Sequence, residues 1–180
     1  MSEYPKHVLT DTETQILILK TVHNFGEISH FQLIDFMSYS GIMNYFSLCQ
    51  GLVRLKNGGQ IYATKFDNDE IYRTTPAGEQ ALSLFISHGM DSAVDKINYL
   101  TNTLKDKYKR EREITHDIIH EKDREYHVVL SLNEQYMPLL KLDISLPTSE
   151  LANAYAKNWP KKAQFIYETI IKTLSEEEQK

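Results

Sequence analysis

The chain has 180 residues, 41% of them hydrophobic and 25% charged, with a net charge of −5. That balance excludes disordered and fibrous classes and a globally basic coat for nucleic acid, so any attraction to phosphate must be local. A single cysteine, Cys49, excludes an internal disulfide. No apolar run approaches the roughly 20 residues of a membrane helix, and the opening MSEYPKH lacks the apolar core of a signal peptide, so a cytoplasmic protein with no membrane partner is expected. From the start, Thr10 followed by Glu13 forms a capping box, each side chain satisfying the other residue's backbone N–H at a helix start. Ile16, Leu19 and Val22 follow at helical spacing, and Gly26 stops the helix. Ser29 and Gln32 repeat the box for a second helix carrying Phe31, Leu33, Ile34, Phe36 and Met37 before turn residues 38 to 41. The connection to the next helix, residues 38 to 43, is longer than a tight helix-turn-helix turn.

A third helix is expected over about 44 to 56, ending at Asn57-Gly58-Gly59, where glycine can take the left-handed conformation that closes a helix. Leu48, Leu52 and Leu55 fall at i, i+4 and i+7 and face the core, joined by Tyr45 one turn earlier. Ser47, Gln50 and Arg54 make a second stripe, short, polar and basic at one end. Such side chains can donate to phosphate or to base edges in a major groove, and they are equally the composition of a solvated helix face.

Two β-prone runs follow, 61 to 66 and 70 to 74, separated by Asp67-Asn68-Asp69, so residues 61 to 74 form an antiparallel hairpin. Two strands alone are marginal in water and must lean on the helices. Three helices, a hairpin and a helix opening at Thr75-Pro76 is the order of a winged helix, and LVRLKNGGQIYA and IYRTTPAGEQAL resemble the two flanks of the hairpin in winged helix-turn-helix regulators. Residues 10 to 86 resemble winged-helix transcription factors, MarR-like and PadR-like groups among them. The whole chain more specifically resembles an uncharacterised bacterial family, a domain of unknown function whose members are described as candidate transcriptional regulators. NYFSLCQGLVRL at 44 to 55, TPAGEQALSLF at 75 to 85 and NWPKKAQFIYETIIKTL near the end carry that match. Gln60 departs from the pattern, standing where such proteins usually place leucine.

The resemblance implies double-stranded DNA as partner, with Asn44, Tyr45, Ser47, Gln50 and Arg54 at or near the groove and Lys65 and Arg73 flanking the wing. Asn44 has a structural role open to it as a helix cap, and Tyr45 as a core residue. Asp67, Asp69 and Glu70 oppose a phosphate contact at the wing tip. Residues 1 to 90 hold six Lys and Arg against nine Asp and Glu.

After a turn at Ser87-His88-Gly89, a helix carries Val94, Ile97, Leu100 or Thr101, Leu104 and Tyr108 in a narrow stripe that can pair with its copy or pack on its own domain. A homodimer is expected, because two half-sites multiply a weak contact. Lys105, Lys107, Lys109, Arg110 and Arg112 could add to a phosphate-facing surface, but Asp106, Glu111 and Glu113 dilute them and a solvated face is the plainer reading. Runs at 114 to 120, 126 to 132 and 139 to 146 are strands. Tyr126, Val128, Leu130 and Leu132 alternate inward, as do Leu140, Leu142, Ile144 and Leu146, the period of a sheet buried on one face. One helix is expected from Pro147-Thr148 to about 158 and another from Pro160, with Ala163, Ile166, Ile170 and Leu174 on its buried side.

His116, His120 and His127 with Asp117 and Glu121 suggest a metal, but on a strand His116 and His120 lie about 13 Å apart at ~3.3 Å per residue, too far for one ion. No nucleophile elbow, phosphate-cradling glycine loop or zinc-hydrolase motif occurs, so neither an enzyme nor a cofactor is expected. Tyr99, Tyr126, Tyr136, Tyr155 and Tyr167 could line a pocket for an unknown small-molecule effector, or simply pack as core and interface. The expected architecture is α+β: a winged helix-turn-helix DNA-binding domain over 1–90, then a 91–180 dimerisation or sensing domain, a helix and a small antiparallel three-stranded sheet covered by two C-terminal helices. The expected function is a homodimeric DNA-binding transcriptional regulator. The acidic balance of residues 1 to 90 motivates the alternative, a protein-interaction module on the same scaffold that does not bind DNA.

Overall fold

The computed structural model describes residues 8–66, 69–85, 89–120, 126–135 and 137–175. Close packing divides the chain into two units, Met1–Lys105 and Asp106–Lys180. The first contains α1 (Asp11–Phe25), β1 (Ile28–Ser29), α2 (His30–Ser40), α3 (Tyr45–Asn57), β2 (Ile61–Phe66), β3 (Asp69–Thr74), α4 (Pro76–Leu84) and the opening turns of α5 (Asp91–Glu113). Its helices begin where side chains replace the missing backbone partners. Both capping boxes form: the Thr10 hydroxyl accepts from the Glu13 N–H at 3.3 Å while the Glu13 carboxylate accepts from the Thr10 N–H at 2.7 Å, and Ser29 and Gln32 make the same exchange.

The turn between α2 and α3 is shorter than the spacing suggested, occupying residues 41 to 44. Ser38, Tyr39 and Ser40 stay helical because Gly41, at φ 62°, closes α2 with its N–H on the Met37 carbonyl, and the buried Ser40 hydroxyl donates to the same oxygen. Asn44 then starts α3, its side chain accepting from the Ser47 N–H at 2.9 Å.

β2 and β3 pair antiparallel from Ile61↔Thr74 to Phe66↔Asp69; Asp67 and Asn68 of the expected turn lie outside the described residues. The sheet has three strands rather than two, because Ile28 and Ser29 pair with Tyr72 and Ile71 to give the order β1-β3-β2. A two-residue strand has no period to read in a sequence; here it is the extended chain leading into the Ser29 cap.

The core of this unit is aliphatic: Leu17, Ile18 and Val22 of α1 meet Leu33 and Phe36 of α2 and Leu48 and Leu55 of α3, all at 0 or 1% exposure. Burying each such side chain contributes about 1.5–3 kcal/mol. Phe31, expected among them, is 65% exposed because it falls one position before Gln32 and Leu33, on the outer side of α2. α4 seats on the end of the hairpin through a close backbone approach. Thr75 donates its N–H to the Gln60 carbonyl at 3.0 Å and its hydroxyl to the Gly59 carbonyl at 2.6 Å, and a Cβ at Gly78 would overlap the Gln60 carbonyl oxygen. Gln60 thus contributes its backbone carbonyl to this joint.

The second unit holds the end of α5, β4 (Ile114–His120), β5 (Tyr126–Glu134), β6 (Met137–Leu146) and α6 (Ser149–Ser175). The sheet is antiparallel in the order β4-β5-β6, and α6 packs on it. Val128, Leu130 and Leu132 of β5 with Leu146 of β6 form the buried face against Ala152, Trp159 and Ala163 of α6, and the Trp159 indole donates to the Ser131 carbonyl at 3.1 Å. One helix covers the sheet where two were expected. Pro160 removes a single N–H from the ladder and does not end the helix, since the flanking Ala156, Trp159 and Ala163 are all buried and hold both halves in place. Leu174, assigned to the buried side, is 81% exposed near the end of the helix.

Of the narrow stripe of α5, Ile97, Leu100, Thr101 and Tyr108 are buried and Val94 and Leu104 half-buried. Among the described residues, no helix is long and apolar enough to cross a membrane.

Candidate functional site

α3 is held on one side only. Leu48, Leu52 and Leu55 face the core, and Gly51 lets the helix approach α1 closely, a Cβ there overlapping Ile18 Cδ1. At its C-terminal end Lys56 donates to the Glu70 carboxylate of β3 at 3.1 Å. The Tyr72 hydroxyl donates to the same carboxylate at 2.8 Å, and His30 Nδ1 of α2 lies 2.9 Å from that hydroxyl. This chain of bonds ties α2, α3 and the hairpin together. The Tyr72 bond, then that from Lys56, hold the Glu70 carboxyl below the ordinary carboxylate range, while burial and the Glu70 carboxylate push the Tyr72 phenol well above its ordinary value.

The opposite side of α3 is uncovered. Phe46 is 68% and Val53 53% exposed, with Gln50 and Asn57 exposed between and beyond them. These four positions follow at i, i+4, i+7 and i+11, directly opposite the leucines. The outward face is thus centred on Phe46, Gln50, Val53 and Asn57 rather than on Ser47, Gln50 and Arg54. Of the residues singled out in the sequence, Gln50 lies at its centre and Ser47, half-buried, at its edge toward α1. Arg54 is exposed but its guanidinium pairs with Asp11 at the start of α1. Asn44 is the helix cap. Tyr45, read above as a core side chain, is 60% exposed; it lies about 60° around the helix from Leu48, and the neighbouring Cys49 raises its phenol pKa through a hydrogen bond.

On the hairpin, Lys65 is exposed on β2. Arg73 is half-buried, its Nη2 and Nε both donating to Glu27 Oε2 at 2.7 and 3.1 Å, with its guanidinium 5.9 Å from the Tyr62 ring. It pins the hairpin to the segment between α1 and β1. Phe46 and Val53 give no local signal of exposure, since apolar side chains ordinarily face a core, and Asn57 reads as part of the helix-closing turn; carrying the leucine wheel round by half a turn finds all three.

In the second unit, His116 and His120 stand on β4, His120 with its ring 4.6 Å from Tyr126. His127 lies 3.2 Å from the Asp143 carboxylate across the sheet. Among the described residues, no group of three or more His, Cys, Asp or Glu is placed to hold a metal ion; Glu121 lies outside them. The tyrosines are dispersed: Tyr99 and Tyr155 are exposed, Tyr126 and Tyr167 pack against the sheet core, and Tyr136 lies outside the described residues. Lys107 and Lys109 pair with Glu111 and Glu113 one turn on, at 3.6 and 3.7 Å.

These features define an α+β protein whose first unit presents one helix, fixed on its apolar side and bare on the other, beside a short hairpin. The chain belongs to the family described as a domain of unknown function, DUF4364, whose model matches residues 14–174. No curated protein and no solved structure matches it.

Proposed function

We propose that the protein is a DNA-binding transcriptional regulator acting as a homodimer, its first unit a winged helix. In this reading α2, the 41 to 44 turn and α3 form a helix-turn-helix, α3 enters the major groove, and β2 and β3 are the wing. One observation carries it: α3 exposes a full side of contiguous residues while its base is locked by the leucines and by the Lys56–Glu70–Tyr72 bonds, the rigid, one-sided presentation a groove-reading helix needs. Arg54 and the exposed Lys65 are the proposed phosphate contacts, Arg54 exchanging Asp11 for phosphate. Arg73 keeps a structural role.

The test is fluorescence binding of Arg54→Ala and Lys65→Ala to promoter duplexes across a salt series. Each substitution is expected to weaken binding for all sequences and to lower the salt slope by about 1. Unchanged affinity and unchanged slope in both would remove the surface.

A second reading, a protein-interaction module that does not bind DNA, is favoured by one feature: Arg54, Lys56 and Arg73 all engage carboxylates of their own chain, while Phe46 and Val53 are bare. Pull-down with and without nuclease separates the two. A protein partner that survives nuclease, with no duplex ever bound, would establish the module.

A further inference from the structure

We infer that α3 reads A·T base pairs through thymine methyl groups and adenine edges; this rests on the DNA-binding reading and adds the class of sequence recognised. Phe46, Gln50 and Val53 lie along one line of the outward face, seven residue steps from end to end, about 10 Å at 1.5 Å per residue. That length covers about three base-pair steps. The middle residue carries a primary amide, which can pair with adenine N6 and N7 together; the residues on either side carry an aromatic ring and two methyls, which gain from contact with the thymine C5 methyl and nothing from the polar edge of a G·C pair. From Tyr45 to Val53 the helix has no charged residue at all. The usual reader of guanine is a bidentate Arg or Lys. Both cations of α3 stand on its last turn, off the outward line, and each is held by a carboxylate, Arg54 by Asp11 and Lys56 by Glu70. The face is therefore neutral and methyl-seeking at its centre, with cations only where phosphates would run.

The experiment uses the full chain and three 30-base-pair probes, alternating dA–dT, the same duplex with deoxyuridine in place of thymidine, and alternating dG–dC, compared by fluorescence anisotropy at one salt concentration. Replacing thymidine by deoxyuridine removes only the methyl group, leaving the phosphates and hydrogen-bonding edges in place. The dA–dT probe is expected to bind about fourfold more tightly than its deoxyuridine counterpart for each methyl contacted, and more tightly than dG–dC. Phe46→Ala is expected to lower the ratio of thymidine-probe to deoxyuridine-probe affinity by about fourfold, the loss of one methyl contact, whatever it does to overall affinity. The side chain is exposed, so an unchanged melting temperature checks that the variant folds. Equal binding of the thymidine and deoxyuridine probes by the parent protein, or equal binding of dA–dT and dG–dC, would overturn the inference while leaving DNA binding intact. Failure to bind any duplex would overturn the DNA-binding reading itself.

Discussion

Gly78→Ala strikes the joint between the hairpin and α4. The added methyl would overlap the Gln60 carbonyl oxygen and lie 3.1 Å from both the Gln60 carbonyl carbon and Leu19 Cδ1. Two of those atoms are backbone, so the helix start must move away as a body. Overpacking of this kind costs about 1–3 kcal/mol. Displacement also strains the Thr75 N–H to Gln60 bond, worth about 1 kcal/mol net. Replacing glycine by alanine in a helix returns at most about 1 kcal/mol. The balance is a loss of about 1–3 kcal/mol, and at ~4–8 °C per kcal/mol for a unit of roughly 100 residues the melting temperature should fall by about 4–24 °C. Thermal unfolding followed by far-ultraviolet circular dichroism reads this, with the neighbouring exposed Glu79→Ala, expected within about 0.5 kcal/mol of the parent, as control. A Gly78→Ala protein that melts with the parent would refute the close approach.

Glu70 makes stability depend on pH in a defined direction. Its folded pKa lies below the unfolded value of about 4.3, so its contribution is present above that pH and is lost as pH falls through the folded value. The melting-temperature advantage of the parent over Glu70→Gln should accordingly be present at pH 6 and shrink toward pH 3; an advantage that grows on acidification would contradict the bonding around Tyr72. Pro160→Ala restores one N–H facing the Ala156 carbonyl in the middle of α6, and after allowing for the looser unfolded chain it should stabilise the protein by about 1–2 kcal/mol. Urea unfolding followed by fluorescence of Trp159, the chain's one tryptophan, measures it. Two separate helices, with Pro160 favourably placed in the first turn of the second, would instead make the substitution neutral or harmful.

Much of the scaffold is written locally. The Thr10–Glu13 and Ser29–Gln32 boxes, the Thr75-Pro76 helix start and the inward alternation of β5 and β6 depend on residues at most a few positions apart, and these signals act before any tertiary contact exists. The β2–β3 pairing was legible for the same reason. The candidate site was legible only in part: the leucine side of α3 was evident, which confines the free side to the opposite half of the wheel, but where that half is bare depends on what packs beside it. α1 brings Asp11 to Arg54 and β3 draws Lys56 away to Glu70, while Phe46 and Tyr45 stay exposed.

Sequence alone thus determined where the chain turns, which residues begin its helices and which sides of helix and strand are apolar, because those properties reside in neighbouring residues and their spacing. Tertiary structure decided the rest. It recruited Ile28 and Ser29 as a third strand, carried α6 through Pro160 on the strength of buried side chains either side of it, and tied three arginine and lysine side chains to carboxylates distant in sequence. Each of those outcomes is set by a partner that arrives only when the fold closes, and burial and charge pairing are properties of the assembled neighbours rather than of the residue itself.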